Sequence, residues 1–321
     1  MGHIATILTL LAGLVLLLAG GDGLVRGAVS LAQRLGVSPL VIGLTLVGFG
    51  TSTPELVASV QAALIDAPGI AVGNIVGSNI ANILLILGIS AIILPISATR
   101  DVLRRDGTVL LASSVAMVAI VLSGSLERWL GVVLIASLAV YTIASFVAAQ
   151  RRGTDGEDAS GQSYGLFVSL ALTVGGIGAV ILGADLLVKA AIDIARIAGL
   201  SQAVIGLTVV AVGTSLPELV TSVMAALRGQ GQVALGNIIG SNIFNILGIA
   251  GAAALVTRVP IPPQIIALDV WVMLGASILL IIFAMTGRGI SRWQGATLLA
   301  CYVVYLGLQF APGFGTVAPS S

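Results

Sequence analysis

GTSTPE, residues 50–55, sets a carboxylate, Glu55, inside a long apolar run, and GTSLPE at 213–218 repeats the arrangement with Glu218. A charge at the centre of a bilayer costs roughly 2.5–3.5 kcal/mol on the lenient insertion scales, so an intramembrane carboxylate marks a functional site by default. Two of them in matching contexts strengthen that reading. That the surroundings are membrane sequence follows from composition. Of the 321 residues 58% are hydrophobic and 8% charged, with a mean hydropathy of +1.15, and so few charges cannot cover a soluble surface. The chain reads as an all-α integral membrane protein.

Spans of about 20 apolar residues, divided at Gly, Pro and charge clusters, fall at 4–34, 39–65, 70–96, 105–124, 128–149, 165–197, 201–227, 232–256, 265–286 and 291–311. The first runs on without an A-x-A-like cleavage site close behind and is read as a retained span rather than a signal sequence. The first and sixth are long enough to tilt. A polar linker, with Arg151, Arg152, Asp155, Glu157 and Asp158, separates the halves. The domain reading is therefore a first transmembrane repeat at 1–149, a cytoplasmic linker at 150–164, a second repeat at 165–311 and a tail at 312–321.

Positive residues set the orientation. With the N-terminus outside, the inner face receives Arg26, Arg34, Arg100, Arg104, Arg105, Arg151, Arg152, Arg228, Arg288 and Arg292, and the outer face only Arg128, Lys189, Arg196 and Arg258. Both termini are expected outside a prokaryotic plasma membrane. A net charge of +1 gives no electrostatic case for nucleic acid, and no protein partner is implied beyond the lipid bilayer. His3 and Cys301 are the sole residues of their kinds, which argues against zinc, copper or iron sites, and no cofactor is expected.

IGLTLVGFGTSTPELVASVQAAL from Ile42 returns as IGLTVVAVGTSLPELVTSVMAAL from Ile205, and 205 less 42 is an offset of 163. The same offset relates AVGNIVGSNIANIL from Ala71 to ALGNIIGSNIFNIL from Ala234, and Asp22 and Arg26 to Asp185 and Lys189. An odd number of spans per half turns the second half upside down relative to the first. That is the inverted-repeat plan of secondary transporters, whose sites lie on broken helices at mid-membrane.

Pro54 and Pro217 sit inside helical runs, where proline removes an N–H and clashes with the carbonyl four residues back, at Gly50 or Gly213. Freed carbonyls beside a glutamate are oxygen ligands for a hard cation. Thr51, Glu55 and Ser59, and equally Thr214, Glu218 and Ser222, share a helix face at steps of four. Asn74, Ser78 and Asn82, with Asn237, Ser241 and Asn245, do the same on the partner segments, while Gly73 and Gly77, or Gly236 and Gly240, form G-x-x-x-G faces for close approach. The pooled oxygens suit calcium, which takes about 6–8 of them.

These paired GTS-x-PE and GN-x-x-GSN-x-x-N motifs resemble the two alpha repeats of the calcium/cation antiporter superfamily, in the ten-span form of the prokaryotic sodium/calcium exchangers. The resemblance covers nearly the whole chain. It implies transport of calcium and sodium in exchange, both competing for one cluster. Glu55 and Glu218 would be shared ligands, and carbonyls of Thr51 and Thr214 would complete the calcium site. Ser52, Ser78, Ser215 and Ser241, with backbone oxygens near Gly48 and Ala211, would shape sodium sites, and Asn82 and Asn245 would face the middle. Relatives often carry an aspartate at the position of Asn245, and here an amide stands there.

Plainer readings exist for several of these residues. Ser59, Ser222, Asn74 and Asn237 serve equally well as interhelical glue. Asp22 and Asp185, each four residues before a basic side chain, suit helix ion pairs better than ligation. Asp66 and Asp269 fall near span ends and are expected to be solvated. DGED at 155–158 lacks the ligand spacing of an EF-hand loop. An intramembrane protease finds no support, because Asp22 follows Ala19-Gly20-Gly21 rather than G-x-G, and no HExxH or GxSxG occurs. A channel with an acidic ring and a calcium/proton antiporter, in which a desolvated glutamate carries a proton, stay open.

Overall fold

In lipid every backbone N–H and C=O must be satisfied within the protein, which leaves helices as the solution for an apolar chain of this kind. The computed structural model describes residues 3–97, 103–152, 163–197, 211–286 and 289–309. The helices are α1 His3–Leu35, α2 Pro39–Thr51, α3 Thr53–Leu64, α4 Pro68–Ile93, α5 Leu103–Leu122, α6 Arg128–Arg152, α7 Leu166–Ile197, α8 Ala211–Thr214, α9 Leu216–Leu227, α10 Gly231–Val256, α11 Ile265–Thr286 and α12 Arg292–Gln309. Among the described residues seven helices are long and apolar enough to cross a membrane, and eight if α2 and α3 form one bent span. Two of the ten expected spans do not meet that standard. The span at 201–227 is described only from 211, and α12 is capped by Arg292, Gln294 and Gln309. Residues 153–162 of the linker expected at 150–164, and the whole of the tail expected at 312–321, lie outside the described residues.

The chain divides into two compact units that do not follow the sequence halves. One comprises residues 1–54 and 144–240, the other 55–143 and 241–321. Each unit draws on both repeats.

The first unit is built on α1 and α7, which pack along most of their lengths. Gly13, Gly20 and Gly27 recur every seven residues on α1, and Gly176 and Gly183 do so on α7. They form the seam. A β-carbon at Gly176 would lie 2.6 Å from the backbone nitrogen of Leu24, and one at Gly183 2.7 Å from that of Leu17, so backbone meets backbone where leucines would hold the helices apart. Leu17, Val180 and Ala184 fill the centre, packed against Leu187, Leu216 and Val220. Asp22 of α1 receives Arg26 at 3.0 Å and also Arg228 beyond the end of α9. Asp185 pairs with Lys189 at 2.6 Å, so both aspartates serve in ion pairs as their spacing suggests.

Helix ends follow ordinary capping chemistry. α1 stops at Gly36 (φ 64°), with Val37 N–H on the Ala32 carbonyl at 3.1 Å and Gly36 N–H on Gln33 at 3.3 Å, a Schellman cap. α9 stops in the same way at Gly229 (φ 72°), whereas its repeat counterpart α3 stops at Asp66 (φ 56°), an exposed residue in the left-handed region.

The second unit contains two short ladders, each of two residues per strand. β1 Ile96–Ser97 pairs with β4 Gly289–Ile290, and β2 Ser125–Leu126 with β3 Val259–Pro260. They join loops of one repeat to loops of the other. At two residues each, they are too short to show as alternating sequence. Ser114 and Ser277, 163 apart, share a hydrogen bond of 2.9 Å between α5 and α11.

The seam yields a test. Gly176→Leu is expected to lose about 1–3 kcal/mol of stability, read as a lowered melting temperature in detergent. Gly178→Leu is the control, since among the described residues nothing lies within 4 Å of that position, and it should leave the melt unchanged. Equal melts for the two variants would mean the seam is looser than described.

Candidate cation site

Each GTS-x-PE segment breaks its helix at the serine two residues before its proline. Ser52 (φ −82°, ψ 9°) and Ser215 (φ −92°, ψ 6°) occupy the sparsely allowed bridge region, and a new helix starts with proline in its first turn. The axes of α2 and α3 diverge by 45°. Proline is tolerated there because the first helical turn lacks N–H partners anyway. The expected break is present, one residue earlier than a mid-helix kink.

In the first unit the break brings the two repeats together. Ser52 Oγ donates to Glu218 Oε1 at 2.7 Å across 166 positions of sequence. Thr51 Oγ1 donates to Asn237 Oδ1 at 3.1 Å. Asn237 in turn donates to Ser222 Oγ at 2.9 Å and to the Glu218 carbonyl at 3.4 Å, fixing the turn that carries the glutamate. The Gly48 carbonyl accepts Ser52 N–H at 3.1 Å and Thr51 Oγ1 at 3.4 Å. Ser215 is buried and Thr214 half-buried on α8 and its end, and Ala211 opens α8. Gly236 and Gly240 admit α2 so closely that a β-carbon on Gly236 would stand 2.9 Å from the Leu44 nitrogen. That is the expected G-x-x-x-G approach. Among the described residues nothing lies within 4 Å of Gly73 or Gly77; the repeat counterpart of Leu40–Leu44, at 203–207, lies outside them.

In the second unit the same staple is built again. Asn74 donates to Ser59 Oγ at 2.9 Å and to the Glu55 carbonyl at 3.2 Å. Asn74, Asn237, Ser59 and Ser222 thus act as positioning groups, the glue side of the two readings the sequence allows. Glu55, Ser78, Ser241, Asn82 and Asn245 are all buried. Asn82 and Asn245 lie in π-helical turns, Ala81–Leu87 and Phe244–Ile249, of the kind that clusters at functional positions.

Three groups stand out by what they do not bond. Asn82 and Asn245 are each 1% exposed, and among the described residues neither amide atom of either has a hydrogen-bond partner; nor has Glu218 Oε2, on a residue equally buried. A buried polar group left unmatched costs about 1–3 kcal/mol, so such groups persist where something else binds them.

Sequence reasoning missed one feature. Asp106 and Asp269 are 163 apart and both buried, so the expectation that Asp269 is solvated is wrong. Tyr305 Oη donates to Asp269 at 2.9 Å and Gln309 donates to the same oxygen, because α12 lies over the start of α11. Asp106 went unnoticed among Arg104 and Arg105, although its offset from Asp269 was the available signal.

Broken apolar helices, buried carboxylates and unmatched oxygens are features that a membrane transporter of cations requires. The sequence profile described as sodium/calcium exchanger protein matches residues 5–147 and 168–311. Sodium/calcium exchanger MaX1 of Methanosarcina acetivorans is 36% identical over 94% of this chain and 98% of its own. Inner membrane protein YrbG of Escherichia coli is 36% identical over 94% of this chain and 95% of its own. A solved structure of the sodium-calcium exchanger NCX_Mj, soaked with sodium and calcium, superimposes with a TM-score of 0.84 at 36% identity, covering 95% of this chain and 98% of that one. The chain belongs to the sodium/calcium exchanger protein family, and it is a cation exchanger rather than an enzyme.

The unmatched amides make a specific expectation. Asn82→Leu, close in shape, should raise the melting temperature in cation-free detergent by relieving an unmatched amide worth about 1–3 kcal/mol, and should shrink the upward shift that calcium produces in the wild type. A lowered melt with the calcium shift intact would assign Asn82 a structural role.

Proposed function

We propose that the protein exchanges sodium for calcium across a prokaryotic plasma membrane, with both termini outside. The observation that carries the hard-cation reading is the set of buried oxygens without partners at Asn82, Asn245 and Glu218. Glu55 and Glu218 supply the negative charge that the cations neutralise, and hydroxyls and carbonyls of Thr51, Thr214, Ser52, Ser215, Ser78 and Ser241, with backbone oxygens at Gly48 and Ala211, complete the coordination. Support for sodium and calcium comes from the names of MaX1 and NCX_Mj. The relatives named above are archaeal and bacterial, in keeping with the membrane proposed.

The mechanism is alternating access through inverted repeats of five spans. The glycine seam fastens α1 to α7, so the two longest helices slide or rock as one body and expose the cations to each side in turn. Crossing requires occupancy, because an empty site would carry two carboxylates through a water-poor barrier.

Calcium uptake into sodium-loaded proteoliposomes tests the whole reading. Uptake should follow the sodium gradient and disappear in Glu218→Gln. Uptake driven only by an imposed pH gradient would move the assignment to calcium/proton exchange, and uptake needing no counter-gradient would make the protein a channel.

Asn245 sets the charge of the site. With two glutamates ionised and no third acid, one calcium neutralises the cluster, whereas three sodium ions leave it positive. Asn245→Asp should therefore change the sodium-to-calcium ratio or the pH profile, measured as a shifted reversal potential. An identical potential and profile would show that this position does not set the charge balance.

A further inference from the structure

Asp106 and Asp269 are the same element of the two repeats, solved with different counter-charges. Both lie in π-helical turns, Leu103–Gly107 and Ile265–Asp269, at the start of a span. Asp106 is fully buried and Asp269 4% exposed. Each accepts a tyrosine hydroxyl from the last helix of its own half, Tyr141 at 3.1 Å and Tyr305 at 2.9 Å. There the likeness ends. Asp106 is gripped bidentately by the Arg105 guanidinium, Nε to Oδ1 and Nη2 to Oδ2, both at 2.9 Å. At the offset of Arg105 the second repeat has Leu268.

Asp269 has no substitute cation among the described residues. Helix α11 beyond it, the Thr108–Leu122 part of α5, and the Pro68–Ile80 part of α4 that packs near its turn contain no Asp, Glu, Lys, Arg or His. The charged residues of α5, Arg104, Arg105 and Asp106, lie in its first turn, where Arg105 is committed to Asp106. On α12 the ionisable side chains are Arg292, Cys301, Tyr302 and Tyr305. Arg292 donates to the Ile92 carbonyl at 3.0 Å, at the far end of that helix. What surrounds Asp269 is neutral and polar. Tyr305 and Gln309 both donate to Oδ1, and Gln264 Nε2 donates to Gln309 Oε1 at 2.7 Å. The phenol O–H and the amide N–H thus converge on one oxygen of a buried acid as neutral donors, with Gln264 holding Gln309 in place, and none of them supplies a compensating charge. An uncompensated charge in such a place is costly, and it is met by a proton or a bound cation.

We propose that Asp269, with Tyr305 and Gln309, binds an exchangeable monovalent cation, a proton or an alkali-metal ion, in the position that the fixed guanidinium of Arg105 fills beside Asp106. The site is separate from the residues assigned to the transported ions, and it neutralises the α11–α12 junction only when loaded. It would make the second repeat sensitive to pH or salt, while the first repeat is not.

Infrared difference spectra and melting curves of the purified full-length protein test this and separate the two cations. For a proton, subtracting the Asp269→Asn spectrum from wild type at neutral pH leaves a protonated-carboxyl C=O band. For an alkali ion, the wild type melts higher in sodium or potassium chloride than in choline chloride, and Asp269→Asn loses the difference. Leu268→Arg, which installs the guanidinium of the first repeat, should abolish whichever signature is found while keeping the protein folded. Asp106→Asn should leave both signatures in place. A carboxylate band at Asp269 with no dependence on alkali ion would overturn the proposal, and so would a signature that survives in Leu268→Arg. Because the readouts are spectral and thermal, their outcome does not depend on whether sodium drives calcium uptake.

Discussion

A membrane protein must satisfy nearly every polar group internally, yet a cation site needs oxygens that nothing else has taken. The chain breaks its helices at two equivalent serines, which on the proposed reading meets both demands. Ser52 and Ser215 hold bridge-region backbone, and the proline that follows each one occupies a turn where its missing N–H costs nothing. The glutamates are then placed in the first turn of a new helix, Thr53–Leu64 or Leu216–Leu227, where the positive end of the helix dipole favours a carboxylate. Asn74 and Asn237 reinforce this by holding the glutamate carbonyl and a serine one turn on.

Much of this was legible in the sequence because it is repeated. Two long motifs at one offset identified the broken helices, and the expected span limits fall within a few residues of the observed helices for most of the chain. The offset extends further than the motifs, to the π-helical turns at Ala81–Leu87 and Phe244–Ile249 and to the caps at Asp66 and Gly229. The chemistry of the polar stripes was harder to divide. Spacing puts Asn74 and Asn82 on one face, but only distances reveal that the first bonds inward as a staple and that the side chain of the second has no hydrogen-bond partner among the described residues.

What stayed hidden was set by tertiary proximity. Asp269 looks like an interfacial acid because it lies five residues into its span, and nothing local predicts that Tyr305 and Gln309, some forty positions on, will cover it. The glycines of α1 were visible as a seven-residue period, but a period says which face is smooth and not what lies against it. The same limit applies to the two ladders, whose strands are too short to alternate.

Repetition also sharpens the meaning of each departure from it. Where both halves keep a residue, as with the glutamates and the staple asparagines, a shared physical demand explains it. Where they differ, the difference must be absorbed locally. Asp66 in place of Gly229 costs some backbone strain at an exposed turn, which is tolerable at the edge of a helix. Leu268 in place of Arg105 is a different matter, because it removes the internal cation from a buried carboxylate and leaves, among the described residues, neutral donors around it. Under the proposed alternating access, the two repeats would open to aqueous phases that differ in pH and salt, which gives them reason to be asymmetric. On the proposal made above, a fixed guanidinium makes one half indifferent to its medium, whereas a carboxyl without one leaves the other half to be completed by whatever cation that medium provides.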